Sequence, residues 1–371
     1  MASHAISADL AGDDRDIDQI LALNLAEYGP MSPSPSTDVV ATRAELHWRR
    51  DQNPAGQAVI PIIRNARGDV AGFIWLIPLR VRIRERDYRA ATGVNLVIAP
   101  ASRGTLGLVK LLRRFDQAVD DSQIALHFSF VADPVYERLR SGNPASTFTV
   151  PLLVKPLDVA SLSTVYATSA WQREIGRRSA WISSALFFRM PLLNRTGDVQ
   201  IETLEQFDET FDGFWDRVRD RYPASVIRDR RFLTWRFAPI GERRYHILVA
   251  RAKGDMLAYA VIRCARVRGI DTGLILDFVM CDGAEGEAAG RRLVDHAEAF
   301  FRDQKMWLMT SLIAPGTAEH RVLRRSGCRN LSVVSPRRFR FALFVHDPHR
   351  QELESLSVKD WFVSFADFES L

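Results

Sequence analysis

Apolar and polar positions recur with two different periods along the chain, and each period predicts one kind of element. Within Asp16–Tyr28 the apolar residues return every three to four positions, which predicts a helix with one buried face. Val59–Arg64 and Val70–Ile77 are rich in β-branched and aromatic residues, and the turn-forming residues 65–69 between them predict a β-hairpin. The first quarter of the chain is therefore expected to mix helices with strands.

The rest of the first half continues this mixture. Residues 104–119 place Leu108, Leu111, Leu112 and Phe115 on one face, which predicts a long amphipathic helix. The other elements predicted here are a helix capped by Thr37 or Asp38 and ending before Asn53-Pro54, a strand running to about Ala90, strands at Val94–Ile98, Leu126–Val131 and Thr147–Val154, and a short helix at Tyr136–Arg140.

Three short segments of the first half recur in the second half in the same order. The segment around Trp48 matches the one around Trp235 at an offset of 187 residues. Residues 66–73 match 252–259 at an offset of 186, and residues 139–142 resemble 324–327 at an offset of 185. A repeated unit this long is typical of a duplicated domain rather than of a solenoid. The sequence therefore predicts two copies of one α/β unit.

The predicted elements of the second copy follow the same order. They are a strand at Val199–Thr203, helices near Phe207–Arg221 and Arg228–Arg236, a hairpin at Tyr245–Arg263, a strand at Leu274–Val279, a helix at Glu285–Arg302, a strand at Trp307–Leu312, a helix at Ala318–Arg325, and terminal strands at Phe339–Val345 and Trp361–Phe365. We expect an N-terminal domain over residues 1–155, a linker or packing arm over 156–195, and a C-terminal domain over 196–371.

Composition narrows the class of protein. The chain has 371 residues and a hydrophobic fraction of 47%, which excludes wholesale disorder and suits two domains. Its three cysteines are widely spaced, which argues against a disulfide framework or a cysteine zinc site and fits a reducing cytoplasm. The longest nearly apolar run, Val70–Leu79, is too short to span a bilayer, and we recognise no secretory signal.

The net charge of +5 comes from an unusual set of basic residues. Only five of the 50 basic residues are lysine and the other 45 are arginine, which indicates a codon bias more than a nucleic-acid surface. In the run Arg80–Arg89 the arginines alternate with other residues at the period of a strand, so we expect a solvated face, with an anion-binding patch as the alternative. No DNA partner is predicted.

Two segments of the first copy carry a family resemblance. Val97-Ile98-Ala99-Pro100-Ala101-Ser102-Arg103-Gly104 is similar to a strand and Arg-Gly turn that opens a coenzyme A-binding helix, and Tyr136-Glu137-Arg138-Leu139-Arg140-Ser141-Gly142 is similar to a Tyr-x-x-x-Gly segment. With the order of elements, these segments resemble the GNAT (GCN5-related) N-acyltransferase family. Residues 232–237, Asp277-Phe278 and 360–367 resemble the downstream half of tandem GNAT proteins found with polysaccharide biosynthesis.

The resemblance implies a fold and a cofactor. The fold would be α/β (α+β), with two tandem GNAT-like domains, each a mixed, mostly antiparallel sheet flanked by helices. The cofactor would be acetyl-CoA or another acyl-CoA, held by the strand, the turn and the helix start. The residues that would bind it are Val97, Ile98, Arg103, Gly104, Thr105, Leu106 and Gly107.

The turn departs from the family pattern, which usually has glycines where this chain has Leu106 and Leu108. A helix start attracts a pyrophosphate through its unpaired N–H groups and partial positive charge, and an arginine adds a bidentate donor. In the second copy the comparable place holds Asp282 and Glu285, which would repel that anion and instead suit helix caps. The first copy is therefore the expected cofactor site, and the second copy is expected to be degenerate.

Acyl transfer to an amine needs an oxyanion donor, an acid for the leaving thiolate and a base. The family resemblance implies backbone N–H groups near Val97 and Ile98 as the donor and Tyr136 as the acid. His127 and Asp133 are candidate bases, although a buried histidine and an aspartate before proline also have ordinary structural roles. No metal site is expected.

The hypothesis is a cytoplasmic N-acyltransferase that moves an acyl group to a small-molecule amine, such as an amino sugar. It would not insert into a membrane. One alternative is tRNA-dependent aminoacyl transfer to a cell-wall precursor, which only the positive charge supports directly. Another is a non-catalytic binding or scaffold protein, which the leucines of the turn suggest.

Overall fold

The computed structural model describes residues 6–28, 42–103, 106–131, 146–166, 199–241, 243–267, 269–331, 339–353, 355–357 and 360–368. Within these residues the chain forms two mixed sheets with helices packed on their faces. Most neighbouring strands are antiparallel, so the predicted fold class is confirmed.

In the first half, helix α1 (Asp14–Tyr28) packs on the first sheet and helix α2 (Arg43–Asp51) packs beside it. Helix α1 buries Ile17 and Ile20, as its spacing predicts. The described elements of this half are strands β1 (Ser7–Leu10), β2 (Pro61–Arg64), β3 (Val70–Ile83), β4 (Arg86–Ile98), β5 (Leu126–Val131), β6 (Ser146–Val150) and β7 (Leu152–Pro156), and helices α1 (Asp14–Tyr28), α2 (Arg43–Asp51), α3 (Gly107–Asp121) and α4 (Val159–Tyr166).

Helix α2 begins later than the sequence pattern suggests. Its cap is Thr42, whose hydroxyl accepts a hydrogen bond from the Glu45 N–H while the Glu45 carboxylate accepts one from the Thr42 N–H. This reciprocal capping box satisfies two amides at once, which makes position 42 a strong helix start. Thr37 and Asp38, the predicted caps, lie outside the described residues.

Strands β3 and β4 are each longer than predicted. The chain turns at Arg84-Glu85, where Arg84 has a φ of 52°, so the expected strand to about Ala90 is divided by a hairpin. Its second part runs on without a break into the strand expected at Val94–Ile98. The arginines of this run are therefore divided between the two arms of one hairpin. The register pairs Arg82 with Asp87 and Ile83 with Arg86, so Arg86 lies on the opposite face of the hairpin from Arg82.

The second half repeats the arrangement. Its described strands are β8 (Gln200–Leu204), β9 (Ala224–Val226), β10 (His246–Ala252), β11 (Asp255–Val267), β12 (Ile270–Met280), β13 (Leu308–Leu312), β14 (Arg329–Asn330), β15 (Phe339–Val345) and β16 (Trp361–Phe362), and its helices are α5 (Thr210–Val218), α6 (Arg230–Arg236), α7 (Gly283–Asp303), α8 (Ala318–Arg325) and α9 (Arg350–Leu353).

The two halves exchange strands in both directions. The first sheet follows the path β1-β2-β3-β4-β5-β15-β6, so β15 of the second half lies between two strands of the first half, and β9 and β16 of the second half join this sheet through β3. The second sheet has the order β14-β7-β13-β12-β11-β10-β8, so β7 of the first half lies between two strands of the second half. Strand β7 lies almost entirely before the predicted boundary at residue 155, yet it belongs to the second sheet.

The repeat is visible as a pair of tryptophans at the junction of the halves. Trp48 of α2 and Trp235 of α6 stack with ring centroids 5.3 Å apart. The Trp48 indole N–H donates to the Trp235 carbonyl at 2.9 Å, and the Trp235 indole N–H donates to the Trp48 carbonyl at 3.2 Å. Both tryptophans are buried, and they join the two copies by equivalent contacts.

Candidate functional site

Strands β4 and β5 run parallel for a short distance and then part. Their ladder pairs Ala90 with Leu126, Ala91 with His127 and Thr92 with Phe128, and it ends there although both strands continue. Beyond this ladder, β5 stays paired on its other side with β15. We call the opening that starts at Gly93 and Ser129 the first split.

A bulge bends β4 just beyond this point. The register to β3 shifts between Phe73, which faces Val97, and Trp75, which faces Val94. Asn95 lies in the bulge with a φ of 51°, a left-handed conformation that asparagine tolerates better than most residues. The bulge directs the end of β4 away from the line of β5.

Helix α3 begins where β4 ends, after a connection formed by residues 99–106. Leu106 is the residue before the helix, and its apolar side chain cannot accept a hydrogen bond from the first amides. That side chain is 70% exposed, so the leucine that replaces a family glycine points into solvent. Gly107 is the first residue of α3 and is buried.

Arg103 lies in that connection, beside the end of α1. Its Nε donates to the Ile98 carbonyl at 3.0 Å, and its Nη2 contacts the Glu27 carboxylate. The guanidinium therefore lies over the end of β4 while remaining half-exposed. A phosphate that bound here would share Arg103 with Glu27.

His127 lies on the face of β5 that packs against α3. Its side chain is fully buried, stacks on Phe344 with centroids 4.7 Å apart, and meets Phe115 edge to face at 5.3 Å. Its Nδ1 lies 2.7 Å from Nε2 of His346, which is only half-buried. A proton could leave this buried imidazole through His346, which lies nearer the surface.

The structure brings together part of the predicted set. Val97, Ile98 and Arg103 lie at the end of β4, with Leu106 and Gly107 at the start of α3. The predicted Gly104 and Thr105, and the candidate acid and base Tyr136 and Asp133, lie outside the described residues.

The second copy has an equivalent split that its own chain fills. Strands β12 and β13 pair from Thr272 to Ile275 and then diverge. Ser364 forms a bridge with Ile313, and the Val363 carbonyl accepts a hydrogen bond from the Ala314 N–H. The segment Trp361–Asp367, which we call the terminal segment, therefore occupies the place beside β13.

Buried charges hold the terminal segment in place. Arg228 is fully buried and lies 2.6 Å from Asp367 and 3.2 Å from Asp277. Asp277 also accepts hydrogen bonds from Tyr259 at 2.7 Å and from the Ser364 hydroxyl at 2.7 Å. Burial raises the pKa of Asp367 despite the neighbouring arginine. Asp277 therefore helps to hold the terminal segment in place through Ser364 and Arg228.

A second buried carboxylate, that of Glu319, lies at the end of β12, where the split between β12 and β13 opens. Glu319 accepts hydrogen bonds from the Tyr222 hydroxyl at 2.6 Å and from the Met280 N–H at 3.3 Å. Arg221 lies 3.3 Å away, yet burial raises the pKa of Glu319 above its ordinary value. The last amide of β12 is therefore already bound to a side chain of α8.

The start of α7 also differs from the start of α3. Only residues 281–282 connect β12 to α7. The first turn of the helix lies very close to this connection, because a Cβ on Gly286 would lie 2.0 Å from the Cys281 carbonyl oxygen. Asp282 occupies the cap position but makes no capping hydrogen bond, contrary to expectation. It instead pairs with Arg221 at 2.5 Å, because that guanidinium lies beside it.

The arginine-rich hairpin is a paired surface. Arg80 lies 3.1 Å from Asp229, and Arg82 lies 3.0 Å from both Asp87 and Asp220. The partners from the second half lie close to the hairpin, so these arginines help to join the halves. This arrangement favours the solvated face over the anion-binding patch.

Sequence reasoning missed three features of the site. It did not identify Ser129, the bulge at Asn95, or the arginine that anchors the terminal segment, Arg228. A glycine and an asparagine inside an apolar strand, Gly93 and Asn95, were the available signal for a close approach and a bulge. Nothing in the sequence indicates that Arg228 and Asp367 meet, because 139 residues separate them.

No cluster of three or more His, Cys, Asp or Glu side chains in the described residues has the geometry to hold a metal ion. None of the helices that the structure describes combines the length and the apolar character needed to cross a membrane.

Comparison with known proteins identifies the fold. No protein-family model and no curated protein matches the sequence. The chain is similar to a GCN5-related N-acetyltransferase from Anabaena variabilis, with a TM-score of 0.60, 13% identity, and coverage of 91% of this chain and 72% of that one. It is also similar to Saccharomyces cerevisiae N-myristoyltransferase with bound myristoyl-CoA, with a TM-score of 0.59, 12% identity, and coverage of 92% and 79%.

A third similar structure is the glucosamine N-acetyltransferase region of a fungal multi-domain β-N-acetylglucosaminidase. Its TM-score is 0.54 at 12% identity, and the match covers 93% of this chain and 38% of that one. Identities this low establish the fold alone. The chain has the GNAT fold, as the order of its elements predicts.

Proposed function

We propose that this chain, which has the fold of GNAT N-acyltransferases, transfers an acyl group from an acyl-coenzyme A to a small-molecule amine. The observation that carries the proposal is the first split, where β4 and β5 part directly before a connection that leads into the start of α3. A thioester arm can lie between diverging strands, and its pyrophosphate can lie at a helix start. The proposed contacts are Val97 and Ile98 on β4, Arg103 to Thr105 in the connection, and Leu106 and Gly107 at the helix.

The second copy supports this assignment by contrast. The split between β12 and β13 is occupied by the terminal segment. The last amide of β12, that of Met280, donates to the Glu319 carboxylate. Only residues 281–282 connect β12 to α7, so Asp282 lies at the start of that helix. We therefore assign one acyl-CoA site to each chain. In this proposal residues 1–155 supply the site and residues 196–371 supply a wall and stability.

The proposed reaction needs no covalent enzyme intermediate. The neutral amine attacks the thioester carbonyl carbon, the C–N bond forms, the C–S bond breaks, and the proton lost by the amine is balanced by one gained by the thiolate. Tyr136 is the proposed acid. Asp133 and His127 are the proposed bases, and His127 would have to act through a hydrogen-bonded chain because its side chain is fully buried.

The acceptor that we propose is an amino sugar or a similar amine of polysaccharide biosynthesis. One similar structure is a glucosamine N-acetyltransferase region, and the sequence resembles tandem GNAT proteins of that biosynthesis. Mass spectrometry of mixtures of the chain, acetyl-CoA and glucosamine would detect the N-acetylated product. Acylation of glucosamine no faster than that of simple alkylamines would remove the amino-sugar assignment.

The cofactor proposal is tested by titrating acetyl-CoA and decanoyl-CoA into two matched variants. Arg103 and Arg43 are 51% and 50% exposed; Arg103 contacts the Glu27 carboxylate, and Arg43 contacts that of Asp18 and, at 3.9 Å, that of Asp14. We expect Arg103→Glu to weaken acyl-CoA binding at least tenfold and Arg43→Glu to leave it within twofold, since Arg103 lies in the connection that leads into α3, whereas Arg43 begins α2. Equal affinities for the two variants, or no binding to wild type, would refute the cofactor site.

A further inference from the structure

Ser129 is the first residue of β5 beyond its ladder with β4. Its side chain is 3% exposed and lies on the same face of β5 as His127, towards α3. Its hydroxyl makes no hydrogen bond with any residue that the structure describes. Buried hydroxyls nearly always have a partner in folded proteins, so an unpartnered one at the opening of a proposed site points to a ligand that completes it.

Gly93, directly across the first split, makes room for this hydroxyl. A Cβ at position 93 would lie 2.9 Å from Ser129 Oγ and 3.1 Å from the Phe115 ring. Any larger residue would therefore displace the serine or the phenylalanine. The point where the strands part, which we call the vertex of the first split, therefore contains the Ser129 hydroxyl, which has no hydrogen-bond partner among the described residues.

We infer that the Ser129 hydroxyl donates a hydrogen bond to the sulfur of the acyl-CoA thioester and of the departing thiolate. The inference rests on the proposed function, because it places the thioester at the vertex between Gly93 and Ser129. Ser129 keeps its proton throughout. The C–N bond forms, the C–S bond breaks with its electron pair going to sulfur, and the proton lost by the amine reaches the thiolate through the proposed acid and base.

The chemistry suits a hydroxyl better than a charged group at this position. Negative charge develops on sulfur only as the C–S bond breaks, so a neutral donor makes one ordinary hydrogen bond to the bound sulfur and a stronger one in the transition state. Phe115 and the surrounding apolar core exclude water there, which strengthens the bond that the hydroxyl makes.

The chain contains a matched control. Ser225 of β9 is also fully buried, and its hydroxyl also lacks a partner among the described residues. It lies between β3 and β16, away from the first split. Ser129→Ala and Ser225→Ala therefore remove the same group from equally buried places.

The test measures binding of coenzyme A and of desulfo-coenzyme A, which lacks the sulfur, to wild type and both variants. We expect Ser129→Ala to weaken coenzyme A binding about fivefold and to leave desulfo-coenzyme A within twofold, because only the first ligand offers the sulfur. Ser225→Ala should change neither affinity by more than twofold. Ser129→Cys, which keeps the shape but weakens the donor, should fall between alanine and wild type.

Each other outcome has a distinct meaning. If wild type binds coenzyme A and Ser129→Ala weakens both ligands equally or neither, the Ser129 assignment is wrong and the proposed function stands. If wild type binds neither ligand, the proposed function is wrong and the Ser129 assignment is wrong with it. A thermal unfolding curve for each variant separates loss of binding from loss of folding.

Discussion

At the scale of single residues, a buried polar group that has hydrogen-bond partners in the chain has a structural role, as Asp16 shows. Asp16 on α1 accepts two hydrogen bonds from Arg64 on β2, at 2.7 and 2.9 Å, and a third from the Gly12 N–H at 2.9 Å. Those contacts join the first helix to the first sheet. Ser129, by contrast, has no such partner among the described residues and lies at the first split, which is why it is assigned to a ligand and Asp16 to stability.

The Asp16 contacts predict a pH dependence of stability. Hydrogen bonds from Arg64 hold the pKa of the Asp16 carboxyl below its ordinary value of 3.8. A carboxyl with a lowered folded pKa stabilises the fold fully above its unfolded pKa and loses that effect as pH falls through the folded pKa. We expect Asp16→Asn to cost about 3 kcal/mol at pH 7.

Urea denaturation of wild type and Asp16→Asn from pH 7 down to pH 2.5 checks this. The difference in free energy of unfolding between the two should be constant from pH 7 to about pH 5 and should shrink below about pH 4. A difference that stays constant through pH 3 would show that Asp16 does not titrate as its contacts require.

At the scale of elements, two buried arginines hold the terminal segment in place. Arg228 contacts Asp277 and Asp367, and it also donates to the Val226 carbonyl at 2.9 Å. A neighbouring arginine, Arg236, donates to the carbonyls of residues 365, 366 and 368. Without Arg228, two buried carboxylates would face each other without a cation.

We therefore expect Arg228→Leu to lower the free energy of unfolding by about 3 kcal/mol or more, because it leaves buried charges unpaired. The control is Arg230→Leu, which removes a half-exposed arginine 3.9 Å from Asp212 and should cost less than about 1 kcal/mol. Urea denaturation measures both. Similar losses for the two variants would mean that the terminal segment is held by its apolar contacts alone.

Single elements were predicted well where their own sequence determines them. Helix α8 and strand β15 have the predicted bounds, since apolar periodicity and flanking turn residues define them locally. The break expected between Ala90 and Val94 was wrong, because Gly93 interrupts the apolar pattern but not the strand. Periodicity identifies a strand but not its neighbour, so the exchange of β7 and β15 was beyond its reach.

The candidate site was predicted in part. The resemblance located the end of β4 and the start of α3, and the structure places both beside the first split. The roles of Tyr136, Asp133, His127 and the turn residues stay predictions. Ser129 was missed because a serine inside a strand carries no signal until its lack of a partner is seen.

At the scale of the whole molecule, the exchanged strands make the two copies one folding unit. Strand β15 pairs with both β5 and β6, and β7 pairs with both β13 and β14. The stacked Trp48 and Trp235 add an apolar contact between the copies. A cut between the copies would therefore leave each half with an unpaired strand and an incomplete sheet.

We expect residues 1–166 and residues 199–371 each to fail to fold alone, and to form a folded complex when produced together. Circular dichroism and gel filtration of the separate and combined fragments measure this, with the uncut chain as the reference. Cooperative thermal unfolding of the isolated first fragment would show instead that the strand from the second half is dispensable.

The central claim is that one of two similar splits binds an acyl-coenzyme A and that the other is filled by the chain itself. Calorimetric titration of the intact protein with acetyl-CoA and decanoyl-CoA measures the number of sites directly. We expect one molecule bound per chain for at least one of these ligands. A stoichiometry of two, or no binding of either ligand, would contradict this claim.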